Sequence, residues 1–552
     1  MANNSVVTPD GAVVGESAVL DEAHIGDIRG AMGTIRLGDD TPRRTVGSKL
    51  RTLIAVIGPG LIVMVGDNDA GAFGTYTQAG QNYGTTLLWT LLLLVPVLYV
   101  NQEMVVRLGV VTGVGHARLI LERFGKFWGA FSVIDLFLLN ALTIVTEFIG
   151  ISLGVGYLGL PKVHSVIVAA VAIVAAASTG SFRRFERLCL ILVVGSLLVI
   201  PVYVMSHPSA GQMARSFVVP GLPHGAPLST VMLLIIGIVG TTVAPWQLFF
   251  QQSYVIDKRL TPRFLKYEKA DLWLGIVIVV VGAAAMFGFC AATFAGTADA
   301  GNFGDAGTVA AGLDKYVSHA AGVMFAIALI DASIIGAAAV GLSTSYAVAD
   351  VLGVKHSLHR KPSQAKGFYA IFALLMAIAA TVVLIPGSPL GLLTTAVQTL
   401  AGVLLPSATV FLLLLCNDRQ VLGPWVNGAK LNIFTGAVVW VLVLLSIILT
   451  AGVLFPAITG TQIVIILGGG SGLALLAAVG YAALFRSRRV GAAVGPVDRS
   501  GREGWRMPPL SRLTRPKMST GRRVGLTVLR SYLLIATVLV IIRVVQYAVA
   551  GH

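Results

Sequence analysis

Long apolar runs separated by short polar segments dominate this chain. Runs of roughly 20 residues can cross the hydrocarbon core of a bilayer as helices. The pattern predicts about twelve spans, near residues 53–80, 85–106, 128–157, 163–179, 186–206, 228–255, 270–296, 320–350, 367–386, 391–415, 432–455 and 462–485. We therefore expect residues 49–486 to form one transmembrane domain. Residues 1–48 are polar, without the apolar core of a signal peptide, and are expected to form a disordered cytoplasmic tail.

The composition also indicates a polytopic membrane protein. Of the 552 residues, 56% are hydrophobic and 12% are charged, and the mean hydropathy is +0.84. A net charge of +15 would suit nucleic-acid binding, but the basic residues concentrate on alternate loops: before the first span and after every second span thereafter. The positive-inside rule places these loops and the N-terminus in the cytoplasm. The charge therefore reflects topology, and we expect no nucleic-acid partner.

The chain changes character after residue 486. Residues 487–523 are rich in Arg, Gly and Pro, without apolar periodicity, which predicts a basic cytoplasmic linker. Within residues 524–552, the apolar stretch 532–550 is long enough to span the membrane but contains Arg543. A thirteenth span and an interfacial basic helix both fit this pattern.

The first predicted span contains an acidic interruption. Its sequence, GPGLIVMVGDNDAGAFG, carries Asp67, Asn68 and Asp69 at bilayer depth. Charge there is costly and normally marks an ion or substrate path. The flanking Gly66 and Gly71 suit an unwound helix whose free carbonyl groups can bind a cation. The alternative is a pair of acids that cap a helix at the membrane surface, but apolar residues continue far on both sides.

The sixth predicted span has a matching interruption. Gly240, Thr241 and Thr242 are followed by Pro245. Proline removes an internal helix hydrogen bond, and nearby threonine hydroxyls can satisfy the freed carbonyl groups. A single proline kink is usually structural. Breaks in spans one and six together predict an inverted repeat of five plus five helices, with substrate bound between the repeats near the membrane midplane.

Several segments resemble the NRAMP divalent-metal transporter family. The acidic segment and the TQAGQNYGTTLLW that follows it resemble the family's first helix. Other matches are QEMVVRLGVVTG (102–113) to its second helix, SFRRFER (181–187) to the loop after helix four, GTTVAPWQL (240–248) to its broken sixth helix, and LLCNDRQVLGPWVNGAKLN (414–432) to the loop after helix ten. The resemblance covers about residues 50–450 in consistent order. It implies an all-α, LeuT-type fold with a 5+5 inverted repeat.

The resemblance has departures at the expected ion site. The family's DPGN motif is here DAGA, so Asp69 remains as a metal ligand while Ala72 replaces the Asn ligand. Its MPH motif is here Ala244-Pro245-Trp246, without the Met ligand and the His. Thioether ligands favour softer ions such as Mn²⁺ and Fe²⁺, whereas carboxylates, carbonyls and water suit Mg²⁺. The pattern resembles the NRAMP-related magnesium transporter branch, with a proton-coupled Mn²⁺/Fe²⁺ symporter as the alternative.

The resemblance implies further site residues. The backbone carbonyls of Gly66 and Thr241 correspond to family positions that contact the ion. Gln398 matches a helix-ten glutamine that closes over the site, although an intramembrane amide also serves as an interhelical hydrogen-bonding group. Asp67 and Asn68 are not typical of metal-transporting members; they are expected to supply charge, hold waters or line the rim of the site.

Proton handling is also expected to differ from the family. Where its members have an Asp and a Glu three residues apart on helix three, this chain has Ile144 and Glu147, and Trp246 stands at the position of the His. Ile and Trp side chains do not relay protons, which favours uncoupled uniport. Glu147 is then either part of a residual proton path or simply hydrogen-bonded. Asp331, another intramembrane acid, belongs either to the ion path or to the bundle packing.

Two other protein classes fit less well. An amino-acid transporter of related fold would also have broken helices one and six, but would offer helix N-termini to its substrate rather than an acidic segment. An enzyme would need a metal set, a nucleophile elbow or a phosphate loop, and Cys189, Cys290 and Cys416 have no metal-ligand spacing. We therefore expect a monomeric, multi-pass transporter of the cell (inner) membrane that uses no cofactor, with the divalent ion as substrate and the lipid bilayer as its surroundings.

Overall fold

A computed structural model describes residues 6–7, 13–14, 18–223, 225–387, 390–454, 458–486, 498–514, 525–527, 531 and 534. The α-helices in these residues are α1 (Val46–Val56), α2 (Pro59–Val65), α3 (Ala70–Tyr83), α4 (Trp89–Thr112), α5 (His116–Phe124), α6 (Lys126–Tyr157), α7 (Lys162–Ala177), α8 (Phe182–Gly195), α9 (Val199–Met205), α10 (Ala210–Val218), α11 (Leu228–Thr242), α12 (Pro245–Asp257), α13 (Leu265–Phe294), α14 (Ala306–Tyr316), α15 (His319–Leu352), α16 (Lys366–Leu384), α17 (Leu390–Cys416), α18 (Arg419–Leu422), α19 (Ala429–Leu454) and α20 (Gly460–Arg486). Two antiparallel hairpins precede them: β1 (Val6–Val7) with β2 (Val13–Val14), and β3 (Ile28–Arg29) with β4 (Thr34–Ile35). Short 3-10 turns lie at Glu22–His24, Ser196–Leu198, Pro262–Phe264, Gly423–Trp425, Arg502–Gly504 and Leu510–Arg512.

The helices account for the predicted spans. Within the described residues, nine helical segments are long and apolar enough to cross a membrane, and the bent pair α1–α2, with 51° between its helices, makes a tenth. Two shorter apolar helices, α7 and Gly460–Leu476 of α20, lie where the fourth and twelfth spans are predicted. The expected all-α membrane architecture is confirmed. The apolar stretch 532–550 lies almost entirely outside the described residues.

Close helix packing holds the broken first span in the middle of the bundle. On one side α2 packs against α13, where a Cβ at Gly60 would lie 2.5 Å from the backbone nitrogen of Leu272. On the other side α6 packs against α15, where a Cβ at Gly154 would lie 3.0 Å from the Ala326 carbonyl oxygen. Small residues let membrane helices approach this closely. The interruption between α2 and α3 is therefore enclosed by α6, α13 and α15.

The N-terminal region differs from the expected disordered tail. Residues 18–45, which we call the N-terminal strap, pack against the ends of several helices, and Ala18, Ile28, Ala31 and Ile35 are buried there. Local composition suggests disorder because these few apolar residues are scattered among polar ones. Their partners lie in separate segments of the chain, such as Ala55 of α1 and Glu186 of α8. Residues 18–45 thus pack on the bundle in this structure.

Part of the basic linker also packs on the bundle. Within residues 498–514, the Arg502 carbonyl oxygen accepts a hydrogen bond of 2.8 Å from Trp425 Nε1, and the Thr514 carbonyl accepts one of 2.5 Å from Arg123. Met507 is buried. The described part of the linker is thus attached to the helix bundle.

Candidate functional site

The first broken helix exposes polar backbone in the middle of the bundle. Helix α2 ends at Val65, α3 begins at Ala70, and the four residues between them are non-helical. Asp69 is the N-cap of α3: its Oδ1 accepts a hydrogen bond of 2.9 Å from the Ala72 backbone N–H. An N-cap carboxylate is stabilised by the positive end of the helix dipole. One Asp69 oxygen is thereby held in place.

The second broken helix lies directly opposite. Helix α11 ends at Thr242 and α12 begins at Pro245, which occupies a helix position where its missing N–H has no cost. The Tyr76 hydroxyl of α3 forms a 2.7 Å hydrogen bond with Thr242 Oγ1, joining the two interruptions. The Thr241 hydroxyl is buried and has no hydrogen-bond partner among the described residues. The two predicted breaks thus meet in one place.

Asp67 is the least satisfied acid of the site. Its side chain is fully buried, and neither carboxylate oxygen has a hydrogen bond of normal geometry to any described residue. The Gln247 side chain of α12 faces it, and Gln247 Oε1 in turn accepts a hydrogen bond of 3.1 Å from Gln102 Nε2. Leaving a buried carboxylate without partners is costly. The arrangement is suited to a cation, or to a cation with its bound waters.

Glu147 lies beside Asp69, a contact that the sequence analysis did not identify. Glu147 Oε2 accepts a hydrogen bond of 3.1 Å from the Ala70 backbone N–H, and its carboxyl group interacts with that of Asp69. Both side chains lie against Gly336 of α15, where a Cβ would be 2.7 Å from Glu147 Oε2 and 3.0 Å from Asp69 Cβ. Because Gly336 has no side chain, the two acids can occupy this space. The sequence around Gly336 does not reveal this contact, because the contact depends on how three separate helices cross.

Gln398 lies between the two interruptions. A Cβ at Gly71 would overlap the Gln398 side-chain amide, and a Cβ at Gly240 would overlap the Gln398 carbonyl oxygen. The side chain is 4% exposed. The residue is therefore placed both to contact a bound ion and to join α17 to α3, and the structure favours neither of the two roles that the sequence left open.

The positions that lack the family's ligands line the same place. Ala72 is fully buried beside Asp69, and Ala244 is 5% exposed in the second interruption. The Trp246 ring lies next to Gly66, with its Cη2 3.9 Å from the position of a Cβ there, and the Trp246 carbonyl accepts a hydrogen bond of 2.9 Å from Ser343. A methyl group beside Asp69, another in the second interruption and an indole next to Gly66 therefore occupy these positions.

Asn68 and Asp331 make contacts elsewhere. Asn68 Nδ2 donates a hydrogen bond of 3.0 Å to the Val279 carbonyl of α13, next to Gly282. Asp331 lies on α15 against Gly195 of α8. Asn68 therefore anchors the interruption to α13, and Asp331 packs between α15 and α8 rather than against Asp69.

The site is enclosed. Asp67, Asp69, Thr241, Gln398 and Trp246 are between 0% and 4% exposed. Within the described residues no group of three or more His, Cys, Asp or Glu side chains is arranged as a metal cluster. The donors gathered here are oxygens of carboxylates, a hydroxyl, a carboxamide and backbone carbonyls, which are the ligands of hard cations.

Comparisons with known proteins identify the family. The family model described as "Nramp: Natural resistance-associated macrophage protein-like" matches residues 60–452. Two proteins described as divalent metal cation transporter MntH, from Chromohalobacter salexigens and Latilactobacillus sakei, are each 27% identical to this chain; the matches cover 74% and 72% of it, and 92% and 89% of the relatives.

Solved structures show the same fold. A crystal structure of the Eremococcus coleocola manganese transporter in complex with an aromatic bis-isothiourea substituted compound is similar, with a TM-score of 0.63 at 20% identity over 80% of this chain and 97% of that one. A mutant of that transporter gives a TM-score of 0.62 at 19% identity over 82% and 96%. The expected LeuT-type fold is therefore confirmed. With a family match over most of its length, this chain belongs to the Nramp family.

Proposed function

We propose that this protein is a transporter that moves a divalent cation into the cytoplasm by alternating access, and that the ion binds where the two broken helices meet. The observation that carries the proposal is the pair of buried acids, Asp67 and Asp69, in the first interruption facing the second. A buried acid pair without a basic partner is strongly unfavourable unless a cation or protons neutralise it. The relatives described as divalent metal cation transporters support the same class of substrate.

We propose Mg²⁺ as the preferred ion. Ala72 and Ala244 contribute methyl groups where the family resemblance implies an amide and a thioether ligand, so the remaining donors are oxygens. Mg²⁺ takes oxygen ligands in an octahedron, keeps several waters and needs one or two carboxylates. Asp69 uses one oxygen as a helix cap and lies beside Glu147, and Asp67 supplies a second charge.

Mn²⁺ is the competing substrate. The similar solved structures are of a manganese transporter, and Mn²⁺ also accepts oxygen ligands. Softer ions gain most from a thioether, and the position for it is occupied here by Ala244. Competition between Mg²⁺, Mn²⁺ and Cd²⁺ for uptake into proteoliposomes distinguishes the two substrates. Uptake of Mn²⁺ unaffected by a large excess of Mg²⁺ would contradict the proposal.

We further propose that transport is not coupled to protons. Ile144 and Trp246 replace two titratable residues of the family, and both are buried without any group that exchanges a proton at neutral pH. An inside-negative potential of about 100 mV supplies roughly 4.6 kcal/mol for a doubly charged ion, so the potential alone can drive uptake. Glu147 is proposed to hold the first turn of α3 through Ala70.

The contact between Glu147 and Asp69 favours one alternative, proton-coupled symport. A carboxyl group beside the ion ligand can take up a proton when the ion leaves. The test uses proteoliposomes that contain a pH-sensitive dye and are given Mg²⁺ under an imposed inside-negative potential. Uptake without acidification of the lumen is expected. Acidification in proportion to Mg²⁺ uptake, abolished in Glu147→Gln, would instead establish symport through Glu147.

We also propose an orientation, a location and an oligomeric state for the protein. The alternation of basic loops supports a cytoplasmic N-terminus and a location in the cell (inner) membrane, and we propose that the monomer is the transporting unit. Epitope tags before residue 18, probed in intact and permeabilised cells, report the orientation. An amino-acid transporter would bind its substrate without divalent ions, which binding assays with purified protein would detect.

A further inference from the structure

The N-terminal strap (residues 18–45) crosses the inner ends of several helices. Its short hairpin pairs Ile28 with Ile35, and both side chains are buried against the bundle. A polar segment without specific contacts to the bundle would leave its charged groups in water. The strap instead exchanges hydrogen bonds and ion pairs with three different parts of the protein.

The first part is α1, which leads into α2, the helix before the break of the first span. The strap backbone at Gly30 approaches so closely that a Cβ there would overlap the Ala55 carbonyl oxygen, and a Cβ at Gly33 would lie 2.8 Å from Ala55 Cβ. The backbone atoms of a helix cannot easily shift to make room for a side chain at Gly30. The strap is thus seated directly on α1, just before the bend at Ile57 and Gly58.

The second part is a buried carboxylate that links the strap to the bend. Glu186 Oε2 on α8 accepts a hydrogen bond of 2.5 Å from the Ala31 backbone N–H. Its other oxygen, Oε1, lies 2.6 Å from Lys258 Nζ, and both side chains are fully buried. Lys258 Nζ also donates a hydrogen bond of 2.8 Å to the Ile57 carbonyl. One ion pair therefore joins the strap to α8, to the end of α12 and to the hinge between α1 and α2.

The third part lies at the inner ends of α12 and α15. Arg259 donates a hydrogen bond of 2.9 Å to the Ala23 carbonyl. Asp21 forms an ion pair of 2.5 Å with Arg360 and accepts a hydrogen bond of 3.0 Å from the His356 backbone N–H. Charge-assisted hydrogen bonds of this kind are stronger than neutral ones. The strap therefore connects both broken spans to the helices around them.

We propose that the N-terminal strap is an intramolecular latch of the inner gate: it holds α1–α2 against α8 and α12, and ion release into the cytoplasm requires it to detach. In transporters built from inverted repeats, access alternates when one group of helices moves against another around the site. The strap bonds to α1 and α12, which carry the broken spans, and also to α8. Inward opening that separates these helices breaks contacts at Gly30, Ala31 or Asp21. The inference depends on alternating access but not on the identity of the ion.

Cysteine accessibility tests the latch without any transported ion. Met64→Cys places a reporter on α2 at its contact with Gly275 of α13, and its labelling by an impermeant maleimide is followed in inside-out vesicles. Adding Gly30→Ala displaces the strap from α1. The matched control is Gly47→Ala, the same chemical change at the start of α1, where a Cβ would meet no atom within 4 Å. Because the readout needs no ion, failure to transport Mg²⁺ does not affect it.

We expect Gly30→Ala to raise the labelling rate about fivefold, the change that loss of one net hydrogen bond produces, and Gly47→Ala to leave it unchanged. Deletion of residues 1–44 should raise the labelling rate at least as much. If Gly30→Ala misfolds, this deletion variant tests the latch instead. Cys290, buried next to Gly80 of α3, must stay unlabelled, since its labelling would indicate general unfolding. A labelling rate in the deletion variant equal to that of the control overturns the proposal.

Discussion

Asp69 and Glu147, which are 78 residues apart in the sequence, share one small space against Gly336. Asp69 caps α3 and Glu147 accepts a hydrogen bond from the first N–H of that helix. Both acids are thereby held at the positive end of the same helix, where its dipole offsets part of their mutual repulsion. A cation bound at the interruption would offset the remainder. The pair therefore makes the start of α3 the most strongly constrained part of the site.

Asp69 should be indispensable for transport. A divalent ion in an enclosed site needs an adjacent anion, so Asp69→Ala should reduce uptake by about two orders of magnitude, in line with roughly 3 kcal/mol for removing one partner of a buried ion pair. Initial rates of Mg²⁺ uptake into proteoliposomes measure this. The matched control is Asp331→Asn, an acid of the same bundle that lies against Gly195 and should retain uptake. Normal uptake in Asp69→Ala would indicate that the ion binds at Asp67 instead.

Gly336 should tolerate no side chain. In Gly336→Ala the added methyl group would overlap Glu147 and press on Asp69, and overpacking of this kind costs about 1–3 kcal/mol. We expect uptake to fall about tenfold while expression remains normal. Gly156→Ala near the end of α6, where a Cβ would meet no atom within 4 Å, is the control. Full activity in Gly336→Ala would show that the close contact between the two acids is not needed.

The apolar spans were predictable from the sequence, whereas the contacts that complete the site were not. Gly66, Gly240 and Pro245 mark the two breaks because each weakens a helix locally. The approach of Glu147 to Asp69 depends on how α6 and α15 cross, which leaves no local pattern. The packing of residues 18–45 leaves no local pattern for a similar reason: these residues contact distant partners such as Glu186 and Arg360.

Ion preference should be partly convertible. Ala72→Asn with Ala244→Met supplies an amide oxygen and a thioether at two buried positions of the site, and also fills space. Since ligand softness and cavity size determine which divalent ion is preferred, the preference should move from Mg²⁺ towards Mn²⁺ and Cd²⁺. Competition assays with each ion measure the ratio, with the single variant Ala72→Asn as a control that adds no sulfur. An unchanged ratio in the double variant would exclude ligand loss as the cause of the preference.

The attachment of the N-terminal strap should weaken in acid, because of His24. Burial lowers the pKa of this imidazole from 6.5 to about 4, although nearby acids oppose the shift. The charged and titratable groups that face it are Asp257 of α12, Asp350 of α15, Asp21 of the strap itself and His356. A detached strap returns His24 to its ordinary pKa, so the detached form binds a proton that the attached form does not.

Two other groups near His24 change this dependence little. Burial alone would lower the pKa of His356, but the Asp350 carboxylate beside it raises it to about 9; both residues lie outside the strap, so this ion pair does not depend on strap attachment. Burial alone would raise the pKa of Asp21, but its hydrogen bond with Arg360 and its other hydrogen bonds lower it to about 2. The contribution of Asp21 is therefore complete above about pH 4. Through His24, the strap should therefore be held most firmly above about pH 6.5.

Hydrogen exchange measures the predicted weakening. As the pH falls from 6.5 towards 4, detachment becomes easier by up to about 1.4 kcal/mol per pH unit. Exchange of the backbone amides of residues 22–31, corrected for the intrinsic rate at each pH, should therefore be about tenfold faster at pH 5.5 than at pH 7.5. His24→Gln, which has no proton to gain, should remove this dependence. Equal protection at the two pH values in the unmodified protein would show that His24 does not control the attachment of the strap.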